Sequence, residues 1–154
     1  MTSIIDLSAG NRAVWFDKHN RLTTFVDIRT EVGPDLLCSS ADLPEELSDV
    51  YDLCVFDPPH VNFGSNANMS KTYGYHTTSG IRDIITGTAR EAHRVCKRGA
   101  FMAFKWNTHD QKLDSVLALM DKWWEPLFGH KVAQRNLRVS STYWVMLLRR
   151  NEAR

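Results

Sequence analysis

Asp57-Pro58-Pro59-His60 brings to a halt an apolar run that carries Leu53, Val55 and Phe56. Two successive prolines supply no N–H to a sheet ladder, so a strand through this run must end at Asp57. A short run of this kind reads as a buried strand of a parallel sheet, which is covered on both faces. Asp57 then stands at the carboxyl end of a central strand, the edge at which open α/β sheets bind their ligands.

The chemistry of the stretch follows from its atoms. Two prolines hold a rigid extended backbone that offers carbonyl acceptors and no N–H donors. Asp57 adds carboxylate acceptors. Acceptors without donors suit an amino group, whose two N–H bonds they can receive. An amine on a heteroaromatic ring or an amide has its lone pair drawn into the π system. Gripping both hydrogens favours the pyramidal form and aims the lone pair at an electrophile. A flat neighbour, here His60, can stack on the ring that bears the amine.

The stretch resembles motif IV of the amino-methyltransferases, the D/N/S-P-P-aromatic signature of enzymes that methylate exocyclic amines of adenine, cytosine or guanine. The resemblance implies that Asp57, Pro58, Pro59 and His60 are the catalytic residues.

Ile4, Ile5 and Leu7 form a short apolar strand interrupted by Asp6, and Ser8-Ala9-Gly10-Asn11-Arg12 follows. A strand running into a small-residue turn brings backbone N–H groups close to a nucleotide-like ligand. This resembles motif I of the class I S-adenosylmethionine-dependent methyltransferases, D-x-x-x-G-x-G. Asp6 and Gly10 match; Arg12 stands in place of the second glycine. Arg12 must keep an ordinary backbone conformation or accept strain. Its guanidinium either pairs with the carboxylate at the methionine end of the cofactor or lies on the surface of a plain turn. Val14, Trp15 and Phe16 are expected to form one helical turn under the sheet, with Trp15 alternatively lining the cofactor pocket.

Thr23 to Asp27 is a β-branched strand ended by an acid that stands 21 positions after Asp6. An acid at that distance, at the tip of the second strand, grips ribose hydroxyls in dinucleotide-binding and methyltransferase folds. Leu36-Leu37-Cys38 is a third short apolar run. The resemblance places Asp42, just after it, on the adenine amino group, with Leu43 touching the ring; Asp42 alternatively caps a short helix through Glu45 and Leu47. The expected cofactor is S-adenosylmethionine, held by Asp6, Ser8, Ala9, Gly10, Arg12, Asp27, Ile28, Asp42, Leu43 and Asp57.

The polar segment from Val61 to Ser79 is long for a loop in a compact domain, and its place beyond Asp57 suggests a substrate lid. Lys71, Tyr73 and Tyr75 offer charge and stacking surfaces there. Ser79 to Cys96 has apolar residues at helical spacing, with Gly99 as a stop. Ala100 to Phe104 is a strand running into Lys105-Trp106-Asn107. These three are candidates for the substrate wall, and Trp106 is alternatively a core residue. Leu113, Val116, Leu117, Met120, Trp123 and Trp124 mark a second amphipathic helix ended by Pro126. Phe128 to Ala133 and Thr142 to Leu148 are the last strands and resemble the antiparallel pair that closes the methyltransferase sheet.

With 154 residues the chain holds one domain with a proper core and not two. The expected architecture is α/β: a single Rossmann-like class I methyltransferase domain over residues 1–154. Its central sheet is mostly parallel with an antiparallel last strand, and its N-terminal half is poor in helices. No run reaches membrane-spanning length and no signal peptide is expected, so the expected location is cytoplasmic. Three dispersed cysteines and no clustered histidines point to no metal and no disulfide framework. A net charge of +1 argues against a dominant non-specific grip on nucleic acid. Basic clusters at Arg94, Lys97 and Arg98, at Arg135 and Arg138, and at Arg149, Arg150 and Arg154 are solvated faces or phosphate sites.

The expected function is methyl transfer to an amino nitrogen, with a nucleic-acid base (DNA or RNA) as acceptor. A small molecule or a protein amide is the alternative acceptor, and a cofactor-binding subunit without catalysis the alternative role. Only seven residues separate Ile28 from Leu36, too few for a parallel crossover with its helix. One sheet face should therefore be uncovered, and a homo-oligomer is expected to bury it.

Overall fold

The computed structural model describes residues 1–61, 77–133 and 140–153. Among them lie the strands β1 (Ile4–Asp6), β2 (Thr23–Asp27), β3 (Leu36–Leu37), β4 (Tyr51–Phe56), β5 (Cys96–Asn107), β6 (Trp124–Lys131) and β7 (Thr142–Arg149), and the helices α1 (Thr78–Val95) and α2 (Leu113–Met120). They build one sheet of order β3-β2-β1-β4-β5-β7-β6. The first five strands in that order run parallel, and β7 pairs antiparallel with both β5 and β6. Ile5 sits at the centre, in register with Thr24 on one side and Cys54 on the other.

The β5 sequence explains which face is covered. Ala100, Met102, Phe104 and Trp106 alternate with Phe101, Ala103, Lys105 and Asn107, and only the first set is buried. The buried set shares a core with Ile81, Ile85, Ala89, Ala92 and Val95, the i, i+4, i+8 face of α1. Each fully buried Ile, Val, Met or Phe of this core contributes ~1.5–3 kcal/mol. Thr77 caps α1 by accepting the Gly80 N–H at 3.1 Å. Trp124, at the start of β6, is fully buried and donates its indole N–H to the Ala89 carbonyl at 2.9 Å. Gly87 lets α1 approach the segment after β3: an added Cβ there would lie 2.8 Å from that of Ala41.

The N-terminal half is helix-poor, as the short spacing implies. Between β2 and β3 there is only a 3-10 turn, Thr30–Val32, and Ile28 and Leu37 are left exposed. Several expectations need correction. Val14-Trp15-Phe16 is not a helical turn under the sheet: Phe16 is fully exposed and Val14 exposed. The cause is local. Arg12 adopts φ 55, a left-handed conformation that no helix propagates, and the Trp15 indole is spent on Asp6.

Residues 41–47 form turns, not a helix capped by Asp42. Arg94 fastens them by donating to the carbonyls of Leu43, Pro44 and Leu47, while Glu91 holds the guanidinium at 2.6 Å. Arg149 likewise donates to the His93 carbonyl, and Arg150 pairs with Asp121 and Glu125. These arginines are staples of the fold. Helix α1 stops at Val95 and Gly99 lies inside β5. Helix α2 stops at Met120, and the chain is already extended at Trp124, so Pro126 sits within β6. A proline is tolerated there because β6 is the edge of the sheet. No helix among the described residues is long and apolar enough to cross a membrane.

Candidate functional site

Parallel pairing brings the carboxyl ends of β1, β2, β4 and β5 to one edge of the sheet, and with them Asp6, Asp27, Asp57 and Lys105. The loop after β1 is stitched across that edge. Leu7 donates its backbone N–H to the Val55 carbonyl at 2.9 Å and Ala9 to that of Val26 at 3.0 Å. Gly10 takes the left-handed conformation, φ 48, and donates to Asp27 Oδ2 at 2.8 Å. The Ser8 backbone N–H is held by Asp6 Oδ1 at 3.0 Å. Ser8 also accepts the Asp57 backbone N–H on its hydroxyl at 2.7 Å. The loop of β1 and the acid of β4 are thus one hydrogen-bonded unit.

Asp6 is buried, and burial is the main cause that raises its pKa to about 6. Hydrogen bonds from the Trp15 indole (2.6 Å) and the Ser8 backbone oppose the rise, while the charges of Asp57 and Asp27 add to it. Asp27 goes the other way. Burial alone would raise it, but bonds from Arg29 and Gly10 outweigh that and hold it below the usual carboxylate range. Its Oδ1 accepts from the Arg29 backbone and Nε, and its Oδ2 from Gly10 and Arg29 Nη2. Four donors meet the roughly four lone-pair sites of a carboxylate, so Asp27 is fully engaged with its own chain.

Beyond β4, Asp57 Oδ2 forms an ion pair with Lys105 Nζ at 2.7 Å. Pro58 is buried, and its carbonyl lies 3.3 Å from His60 Nδ1. A carbonyl only accepts, so in this contact Nδ1 is the donor. The His60 ring meets the Trp106 ring edge-on, centroids 6.1 Å apart. Lys105 is in register with Trp144 on β7, and its ammonium lies 5.8 Å from the indole centroid.

The expected site residues fall into three groups. Asp6, Ser8, Ala9, Gly10, Asp27, Asp57, Pro58, Pro59, His60 and Lys105 gather at the strand tips, with exposed Ile28 and Asp42 at the ends of neighbouring segments. Others turn away. Arg12 takes the left-handed conformation that favours glycine, φ 55, but its guanidinium lies over Phe25, 3.9 Å from the centroid, and donates to the carbonyls of Lys18 and Gly33. Leu43 and Trp106 are buried in the core, the latter donating to the Gln111 carbonyl. The Asn107 amide is spent on Thr142 and the His109 backbone. Lys71, Tyr73 and Tyr75 lie outside the described residues.

No protein-family model and no curated protein matches this sequence. Solved structures do match its fold. The N-methyltransferase NodS from Bradyrhizobium japonicum, solved with S-adenosyl-L-homocysteine, superposes at TM-score 0.64 with 10% identity, over 98% of this chain and 79% of its own. A predicted O-methyltransferase from Agrobacterium tumefaciens gives 0.65 with 15% identity, over 99% and 76%. Geranyl diphosphate methyltransferase, solved with S-adenosylmethionine, gives 0.62 with 11% identity, over 96% and 78%. This chain has a Rossmann-like methyltransferase fold. Identities this low make the likeness one of fold.

Sequence reasoning missed Arg29 and Trp144. The Asp-x-Arg spacing after β2 was a usable signal, since Asp side chains commonly bond the backbone two residues on. Trp144 lies in an unbroken apolar run from Tyr143 to Leu148, which leaves both its face and its partner strand open.

Proposed function

We propose that this chain transfers a methyl group from S-adenosylmethionine to an amino nitrogen, with the exocyclic amine of a nucleic-acid base as acceptor. The observation that carries it is Asp57-Pro58-Pro59-His60 at the carboxyl end of β4, hydrogen-bonded through Ser8 to the loop after β1. The methyltransferase neighbours of the fold, two of them solved with the cofactor or its product, support it.

The residues present fit the cofactor. The left-handed turn at Gly10 lies beside the Asp27 carboxylate, exposed Ile28 offers an apolar face, and Asp42 offers an exposed carboxylate. In this reading Asp27 holds the ribose hydroxyls, Ile28 covers the adenine and Asp42 accepts from its amino group. When bound, the cofactor supplies a sulfonium-activated methyl carbon, so the protein's work is positioning and desolvation. Asp57 Oδ1 takes one N–H of the acceptor amine, and the second lone pair of the Pro58 carbonyl takes the other. Held in this way, the amine would present its lone pair to the methyl carbon that the cofactor would supply, and Asp57 Oδ1 would stand beside the nitrogen to take the proton it sheds after transfer. Methyl transfer from labelled cofactor to mixed nucleic acids, lysate protein and metabolites tests the reading; a product methylated on oxygen overturns it. The near-neutral net charge of +1 favours a second acceptor, a protein amide or small molecule, at the same atoms.

Cofactor binding should respond in opposite directions to two neighbours. Asp27→Ala removes the acceptor of the ribose hydroxyls and should weaken binding by about 1–3 kcal/mol. Arg29→Ala removes the side chain that ribose must displace from Asp27 and should tighten binding by up to about tenfold. Calorimetric titration checks both, and equal weakening would show Arg29 to be part of the grip. His60→Phe and His60→Tyr should keep transfer within a few-fold, because a flat ring remains. A loss of about 100-fold in both would make His60 a general base. Self-association through the helix-poor face is expected on the exposure of Ile28 and Leu37. Light scattering that shows a strict monomer at high concentration would count against it.

A further inference from the structure

Lys105 raises a question that the methyl-transfer reading leaves open. An ammonium paired with the acid that grips the acceptor amine weakens the field that acid presents to developing positive charge on nitrogen. Its place at 2.7 Å from Asp57 Oδ2 is well defined, with both side chains largely enclosed, 28% and 24% exposed. Among the described residues Asp57 Oδ1 has no hydrogen-bond partner, and the Asp57 backbone is fixed by Ser8. An ammonium has three protons, and the ion pair uses one. The pair therefore presents a free acceptor and a free donor side by side.

We propose that Lys105 determines acceptor specificity. Its ammonium donates to the ring nitrogen adjacent to the reacting amine, while Asp57 Oδ1 accepts from the amine itself. This deepens the proposed function and rests on it. The matching substrate edge is H–N–C=N, as in the amine and neighbouring ring nitrogen of adenine or cytosine. An alkylamine fails twice. With a pKa near that of lysine, about 10.4, it is protonated at neutral pH and has no lone pair, and Lys105 repels its charge. A carboxamide has the right donor and acceptor, but two observations favour a ring. The Trp144 indole stands beside Lys105 in the same cross-strand row, and the half-buried His60 imidazole lies beyond Asp57. Both are flat surfaces for base stacking.

The test uses the full chain, labelled S-adenosylmethionine and single-stranded DNA and RNA oligonucleotides that contain adenine and cytosine. Matched oligonucleotides carry 1-deazaadenine or 3-deazacytosine, which keep the amine and lose the ring acceptor. A lysine peptide and a glutamine peptide complete the set. The expected result is a preference of at least about tenfold in kcat/KM for the natural base over its deaza analogue. In Lys105→Met that preference collapses to within about twofold, and in Lys105→Arg a part of it is restored. A merely structural role for Lys105 would lower both rates together and leave their ratio unchanged. Calorimetry with S-adenosylhomocysteine shows whether Lys105→Met keeps its cofactor site. Equal rates on natural and deaza bases, a ratio unaffected by Lys105→Met, or transfer to the lysine or glutamine peptide alone overturns the specificity role while leaving amino-methylation standing. Absence of cofactor binding, or cofactor binding with transfer to no nitrogen probe, overturns the proposed function itself.

Discussion

Asp57→Ala is expected to lower methyl transfer at least about 100-fold while cofactor affinity stays within a few-fold. The separation of the two effects is the informative part. Asp57 contacts the loop after β1 through its backbone N–H, which donates to Ser8 and survives the substitution. The loop after β1 is otherwise tied to Val55, Val26 and Asp27. Truncation at Asp57 should therefore remove the amine's acceptor without loosening the loop. It also releases Lys105, which then has no carboxylate beside it and repels the positive charge developing on nitrogen. Asp57→Asn keeps one carbonyl acceptor but pairs poorly with the ammonium, so its activity should fall between wild type and alanine. Single-turnover kinetics with saturating cofactor measure the transfer step, and calorimetry measures the affinity. A variant that loses both together would place Asp57 in the cofactor site alone.

What could be read in advance was whatever the chain repeats locally. The strand before Pro58 and the last strand showed as apolar runs, and the α1 face from Ile81 to Val95 as a helical period that burial then follows. The order of acids at the strand tips was also visible, because parallel strands place their carboxyl ends together. Segments without a period misled. Val14-Trp15-Phe16 is three apolar residues in a row, and only Trp15, through one bond to Asp6, is held inward. Trp123-Trp124 continues the spacing of α2, yet Trp124 opens the edge strand. Long-range pairs were illegible for a simpler reason. Lys105 and Asp57 stand 48 positions apart, and their meeting depends on the register of β4 with β5, in which Phe56 faces Phe104. The same holds for Trp144, and for Arg12, whose partners lie in two separate turns.

Asp6 should leave a signature in the pH dependence of stability. The residue is 2% exposed, and burial raises its pKa from 3.8 to about 6. Between those values the folded chain keeps a proton that the unfolded chain has released. Stability from this group is thus fully present below 3.8 and is lost as pH rises through about 6. A rise of about two units corresponds to about 3 kcal/mol at 1.36 kcal/mol per unit. Asp27, whose pKa is depressed, contributes with the opposite sign, since its stabilisation is lost as pH falls. A single wild-type profile mixes the two, and the comparison with Asp6→Asn separates them. Asparagine cannot titrate, but its amide turns a donor toward either the Trp15 indole or the Ser8 backbone, so the variant starts with a fixed penalty. That penalty does not change with pH. Denaturant unfolding should therefore show Asp6→Asn gaining about 3 kcal/mol on wild type between about pH 4 and pH 7.5. A difference that stays constant across the interval would mean that Asp6 is ionised in the folded chain throughout, held by the Trp15 and Ser8 bonds alone.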